Sequence, residues 1–175
     1  MRIKSLPGNV RSLAIARPPP LLSAPANDRR TLPLMPISQK IRDLIRSAWD
    51  DGAPCLVATN GPDGPTISVK GSIVVYDDDH LAYWERSKRG ALDNLGHDKR
   101  VCVIYANFKA QRDGVLDSGF LRFWGTAELH ESGPIHDKIF GLLLPREQTH
   151  VGADTGIGVL VKIARSADIR GKPLP

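Results

Sequence analysis

Long apolar runs are absent from this sequence, and that absence removes the simplest membrane reading. A spanning helix needs about 18 consecutive apolar residues, whereas the longest stretches here, Ile73 to Tyr76 and Val101 to Ala106, have the length of strands. The chain therefore reads as a soluble protein with no membrane partner. Cysteine is scarce: Cys55 and Cys102 are the only two among 175 residues, each inside an apolar run and without CxxC spacing. That excludes a disulfide framework and points to buried thiols in a reducing, cytoplasmic compartment. The five histidines are scattered without ligand spacing, so no metal site is expected. Hydrolase signatures are missing as well: there is no GxSxG elbow, no HExxH and no obvious pair of tuned carboxylates. GxGxxG and Walker sequences are also absent. An enzyme built this way has to borrow its chemistry from a cofactor.

Excess charge is absent too, once its location is read. The formal net charge is +5, but residues 1–34 hold six basic side chains against Asp28 alone, and the 18 basic and 18 acidic side chains that follow cancel. A domain that grips nucleic acid through phosphates shows a basic face of its own. None is visible here, so no nucleic-acid partner is expected. The same 34 residues carry Pro18-Pro19-Pro20, Pro25 and Pro33 and sustain no apolar period. They read as a basic, Pro-rich, disordered arm, with a translation start at Met35 as the alternative. Residues 35–175 read as one domain, long enough to bury a core.

What is present is a series of short strands with a few helices. Ser38 is a good N-cap, and Ile41, Leu44, Ile45 and Ala48 recur at helical spacing until Gly52 and Pro54. This helix is expected to pack across an open end of a barrel. Cys55 to Thr59 reads as a strand, Gly61-Pro62-Asp63-Gly64 as a hairpin turn, and Thr66 to Tyr76 as one long second strand. Gly71 in its middle suggests a bulge or a close approach by a ligand. Asp77-Asp78-Asp79 reads as a solvated turn, because the spacing lacks a calcium-loop pattern. Leu81 to Trp84 is a third strand, and a short helix is expected from Ser87 to about Gly96. Val101 to Phe108 is a fourth strand, Lys109 to Ser118 a loop, and Phe120 to Glu131 a fifth strand. A helix from Gly133-Pro134 to about Leu144 and a closing strand from Gly156 to Ala164 complete the domain. Strict βαβ alternation is absent, so the pattern predicts a mainly β barrel with α additions.

Two stretches suggest a ligand. Arg86-Ser87-Lys88-Arg89-Gly90 lies between a strand and a helix. If the helix begins at Ser87, three cations oppose its macrodipole unless an anion binds there. Solvated surface cations are the competing reading. In the second strand, alternation places Ser68, Lys70 and Ser72 on one face and Ile67, Val69 and Ile73 on the other. A lysine between two hydroxyls beside a glycine suits a groove for a planar polar ligand; a solvent-facing row suits it also.

The order of Gly61-Pro62-Asp63-Gly64 through Ser72, then Asp77 through Trp84, then Ser87 through Leu95, resembles the FMN-binding split barrels of the pyridoxamine 5′-phosphate oxidase-like superfamily. The resemblance spans roughly residues 40–165. It implies a six-stranded split β-barrel, a homodimer with FMN at the interface, and an oxidoreductase acting on a small-molecule substrate or electron acceptor. Ser87, Lys88 and Arg89 match the family's phosphate-gripping Ser-Arg-Lys triplet with the two basic residues exchanged. Ile67, Ser68, Val69, Lys70 and Gly71 fall on the strand that lies along the flavin ring, and Tyr83 and Trp84 on the strand end that also touches it. Asn94-Leu95 matches the family's helix. Arg122 and Trp124, on the fifth strand, are weaker candidates to reach flavin or substrate across the dimer interface. The chain keeps only Arg122 of the Arg-Gln-Val-Arg pattern of true pyridoxamine phosphate oxidases, and it lacks their C-terminal Arg- and Trp-containing segment. The resemblance is therefore to the oxidase-like branch, with the substrate unassigned. Its alternatives are a flavin-binding or redox-sensing protein without turnover, and a deazaflavin- or haem-using barrel.

Overall fold

Strand-forming residues and turn signals alternate from Cys55 onward, and they fold into one antiparallel sheet. The structure is a computed structural model that describes residues 36–174; the basic arm 1–34 and the start at Met35 lie outside the described residues. Helix α1 (Gln39–Ser47) precedes β1 (Cys55–Gly61), β2 (Gly64–Lys70), β3 (Val74–Val75) and β4 (His80–Glu85). Then come α2 (Ala91–His97), β5 (Arg100–Ala106), α3 (Phe108–Arg112), β6 (Phe120–His130), α4 (Pro134–Leu142), α5 (Pro145–Gln148) and β7 (Ile157–Asp168). The sheet order is β2-β1-β5-β6-β7-β4-β3, every pair antiparallel. No helix among the described residues is long and apolar enough to cross a membrane.

Seven strands form rather than the six expected, because Thr66 to Tyr76 is not one strand. The chain breaks at 71–73, and its two halves lie at opposite edges of the sheet as β2 and β3. Gly71 permits the break: a Cβ there would lie 2.8 Å from Trp49 Cε3. The close approach expected at this glycine is thus made by the protein's own indole. Next to it, the Ser72 hydroxyl donates to Trp84 O at 3.0 Å and accepts from Trp84 N at 3.1 Å. A side chain here does the work of a ladder pair.

The curled sheet encloses the main core. Val57, Leu81, Val103, Phe123, Val159 and Val161 line its inner face, and Ile41, Leu44 and Ile45 of α1 join them. Each fully buried side chain of this size contributes about 1.5–3 kcal/mol. A second cluster sits on the outer face of β4 and β7, where Ile139 and Leu143 at α4 cover Trp84 and Leu160. Among the described residues, no helix cluster of this kind covers the outer face of β2, β1 and β5. Helix α2 is tied down by Asn94, whose side-chain N–H donates to the Thr59 and Thr66 hydroxyls, each at 3.0 Å, while Leu95 enters the main core.

The segment Lys109 to Ser118, expected as a loop, contains most of α3. Its N-cap is Asn107, whose side-chain oxygen accepts from Ala110 N at 2.8 Å. The one-turn α5 after Pro145 was likewise not expected. The closing strand runs beyond Ala164 to Asp168, pairing with β6 through a register shift at Trp124/Gly125.

Candidate functional site

Strands β2 and β4 share no ladder, yet their ends converge where the chain crosses between the two sheet edges. Lys70 on β2 forms an ion pair with Glu85 on β4 across this seam, their side chains only 10% and 3% exposed. The second Glu85 carboxylate oxygen accepts the Ser87 backbone N–H at 3.0 Å. Lys70 Nζ stands 5.3 Å from the centroid of the Tyr83 ring. The Tyr83 hydroxyl is buried and has no partner among the described residues. Burial, with the Glu85 charge adding to it, pushes the phenol well above its ordinary range.

Register explains why a lysine enters this place. Opposite Cys55 and Val57, both buried, stand Lys70 and Ser68, so these two polar side chains share the inward face. Ile67 and Val69 point outward and are 65% and 58% exposed. Hydrophobicity alone predicts the reverse.

The basic loop differs from its expected geometry. Helix α2 begins at Ala91, after Gly90 with φ +59°, and not at Ser87. Asp93 accepts the Gly90 N–H at 3.0 Å, so an acid already serves this helix start. The opposition of three cations to a helix dipole therefore does not arise. What the loop offers is exposure: Ser87, Lys88 and Arg89 face solvent, and no acidic side chain among the described residues pairs with either cation. Arg86 is turned away, its guanidinium bound to the Glu147 carboxylate and to Glu147 O.

The remaining candidates divide by face. Trp84 points away from Tyr83, donates from Nε1 to Ala153 O at 2.9 Å and packs on His136 and Phe140. Gly71 lies against Trp49 and the Glu147 carboxylate. Arg122 and Trp124 stand on the outer face of β6, and the Trp124 ring centroid is 5.1 Å from the Arg122 guanidinium and 3.6 Å from that of Arg165. Within one chain the structure thus gathers Lys70, Tyr83 and Ser87, with Ser68 on the Lys70 face of β2. Trp84, Arg122 and Trp124 belong to other surfaces. Sequence reasoning missed Glu85, although a carboxylate closing the apolar run Leu81 to Trp84, just ahead of three cations, was a readable signal.

A curled antiparallel sheet with a buried ion pair at its seam, a basic loop beside it and helices at its margins defines a split-barrel protein. The sequence profile described as pyridoxamine 5′-phosphate oxidase matches residues 37–155, and the chain belongs to that family. No curated protein sequence gives a significant match. Among solved structures, HupZ of Group A Streptococcus is similar with a TM-score of 0.60 and 23% identity, over 79% of this chain and 99% of that one. An FMN-binding protein from Syntrophomonas wolfei is similar with a TM-score of 0.51 and 13% identity, over 73% of this chain and 85% of that one. General stress protein 26 of Bacillus anthracis is similar with a TM-score of 0.53 and 10% identity, over 77% and 97%. At these identities the likeness is one of fold.

Proposed function

We propose that this chain is an FMN-dependent oxidoreductase that works as a homodimer on a small-molecule substrate or electron acceptor. The observation that carries the reading is the seam: β2 and the loop 86–90 meet there through Lys70, Glu85 and Ser87. The residues present suit FMN in three ways. The Ser87 hydroxyl and the Lys88 and Arg89 cations, without acidic partners among the described residues, suit a phosphate. Among the described residues the outer edge of β2 has no strand partner, so Ile67 to Gly71 can offer backbone groups to a ring. The Tyr83 hydroxyl at the seam is a buried donor with no partner among the described residues.

FMN, when bound, supplies hydride or single-electron transfer, and no protein nucleophile is needed. The chain's part is to bind and orient. Ser87, Lys88 and Arg89 would hold the phosphate end, and the β2 backbone, with Lys70 at its end, would serve the ring. Backbone donors fixed in place would favour negative charge on the reduced ring. Dimerisation would use the outer face of β2, β1 and β5, where Val69 stands beside Leu56 and Ile104, and Ile67 beside Ala58 and Cys102. A contiguous apolar face of this kind marks an interface. Arg122 and Trp124 continue the same rows and would face the partner.

The visible spectrum and mass of any small molecule released from purified protein test this reading, before and after adding FMN. One flavin of FMN's mass per chain is the expected result. A colourless protein that also fails to take up FMN would leave the fold intact and end the functional proposal.

A further inference from the structure

Lys70 and Glu85 are two buried charges of opposite sign bridging strands that share no hydrogen-bonded ladder. Desolvating such a pair is costly, and two apolar side chains of similar size hold a seam as well or better. Stability alone therefore gives little reason for the pair. Its surroundings suggest another role. Glu85 also fixes the Ser87 N–H, and so joins the strand assigned to the ring to the loop assigned to the phosphate. Lys70 stands near the Tyr83 ring and Glu85 accepts the Ser87 backbone N–H, while Arg86 is engaged by Glu147.

We propose that Glu85 is a positioning residue that sets the reduction potential of the bound flavin by neutralising Lys70 at the seam. The proposal rests on the FMN reading above. A buried ammonium beside the ring-binding strand stabilises an anionic reduced flavin, and in a low-dielectric seam its field is weakly screened. Glu85 cancels that charge, so the pair presents a dipole with no net charge. The potential then depends on which member of the pair is present, and not on the contacts of the seam alone.

The test is the midpoint potential of FMN-loaded protein, read by dye-equilibrated reduction. Glu85→Gln keeps an oxygen for the Ser87 N–H and leaves Lys70 uncompensated. It should favour reduced over oxidised FMN at least tenfold more than the wild type does, which for a two-electron couple is about 30 mV more positive. Lys70→Met should move the balance tenfold the other way. Lys70→Met with Glu85→Met removes both charges and should return it to within threefold of the wild type. If Glu85→Gln does not fold, Lys70→Met and the double variant carry the same comparison. Single variants that bind FMN normally and stay within threefold of the wild type would overturn the proposal. Wild-type protein that takes up no FMN would overturn the FMN reading, and this proposal with it, before any variant is compared.

Discussion

At the scale of single residues, the two thiols show how position governs chemistry. Cys55, fully buried opposite Lys70, is pushed up to about 12 by loss of solvent. Cys102, half-buried on the outer face, is raised by burial too, but Arg122 and Arg165 pull it back. The Cys55 shift has a consequence for stability. The native thiol stays protonated while the unfolded one ionises near its ordinary value of 9.0, so the unfolded chain binds fewer protons above that pH. Stability is fully present below about pH 9 and falls as pH rises toward 12, at up to about 1.4 kcal/mol per pH unit from this group. Cys55→Ala should flatten that fall by about 1 kcal/mol per pH unit. Denaturant midpoints of both proteins between about pH 9 and 11 check this, and parallel slopes would contradict it. Asn94 gives a second case: the sequence offered it as a family match, and the structure shows its amide clamping α2 to the β1–β2 hairpin.

At the scale of elements, most strands were legible because apolar runs alternate with Gly, Pro and Asp turns. Two things were not. A strand whose polar residues face inward cannot be oriented from hydrophobicity, and β2 inverts because its register with β1 puts Lys70 and Ser68 beside buried Cys55 and Val57. A helix start cannot be read from one serine: Ser87 resembles a cap, yet the chain runs on to Gly90 before the helix begins, and Asp93 in its first turn accepts the Gly90 N–H. The cost of the inversion is an apolar outer edge, and an exposed edge strand invites pairing or association. The proposed dimer uses that face. Ile67→Asp with Val69→Asp changes side chains that are more than half exposed, so the fold should survive. The proposal expects sedimentation to find wild-type dimers and variant monomers at the same concentration. A variant dimer as tight as the wild type would move the interface elsewhere.

At the scale of the whole molecule, the barrel's split is where its parts converge. One chain passes from one sheet edge to the other through Gly71, and that crossing brings the ring-binding candidate strand to the phosphate-binding candidate loop. The sequence carried both segments in readable form, as a lysine among hydroxyls and as a run of cations. It did not carry their meeting, because Glu85 joins them through a contact between strands that do not pair. Ser87, Lys88 and Arg89 are the residues proposed to hold the phosphate of FMN at this seam. Equilibrium titration with FMN and with riboflavin, which lacks the phosphate, tests this assignment most directly in the wild type and in Lys88→Ala with Arg89→Ala. The wild type should prefer FMN, and the double variant should lose at least about tenfold in FMN affinity, with riboflavin binding little changed. Equal loss of both ligands, or no loss of FMN affinity, would contradict the account.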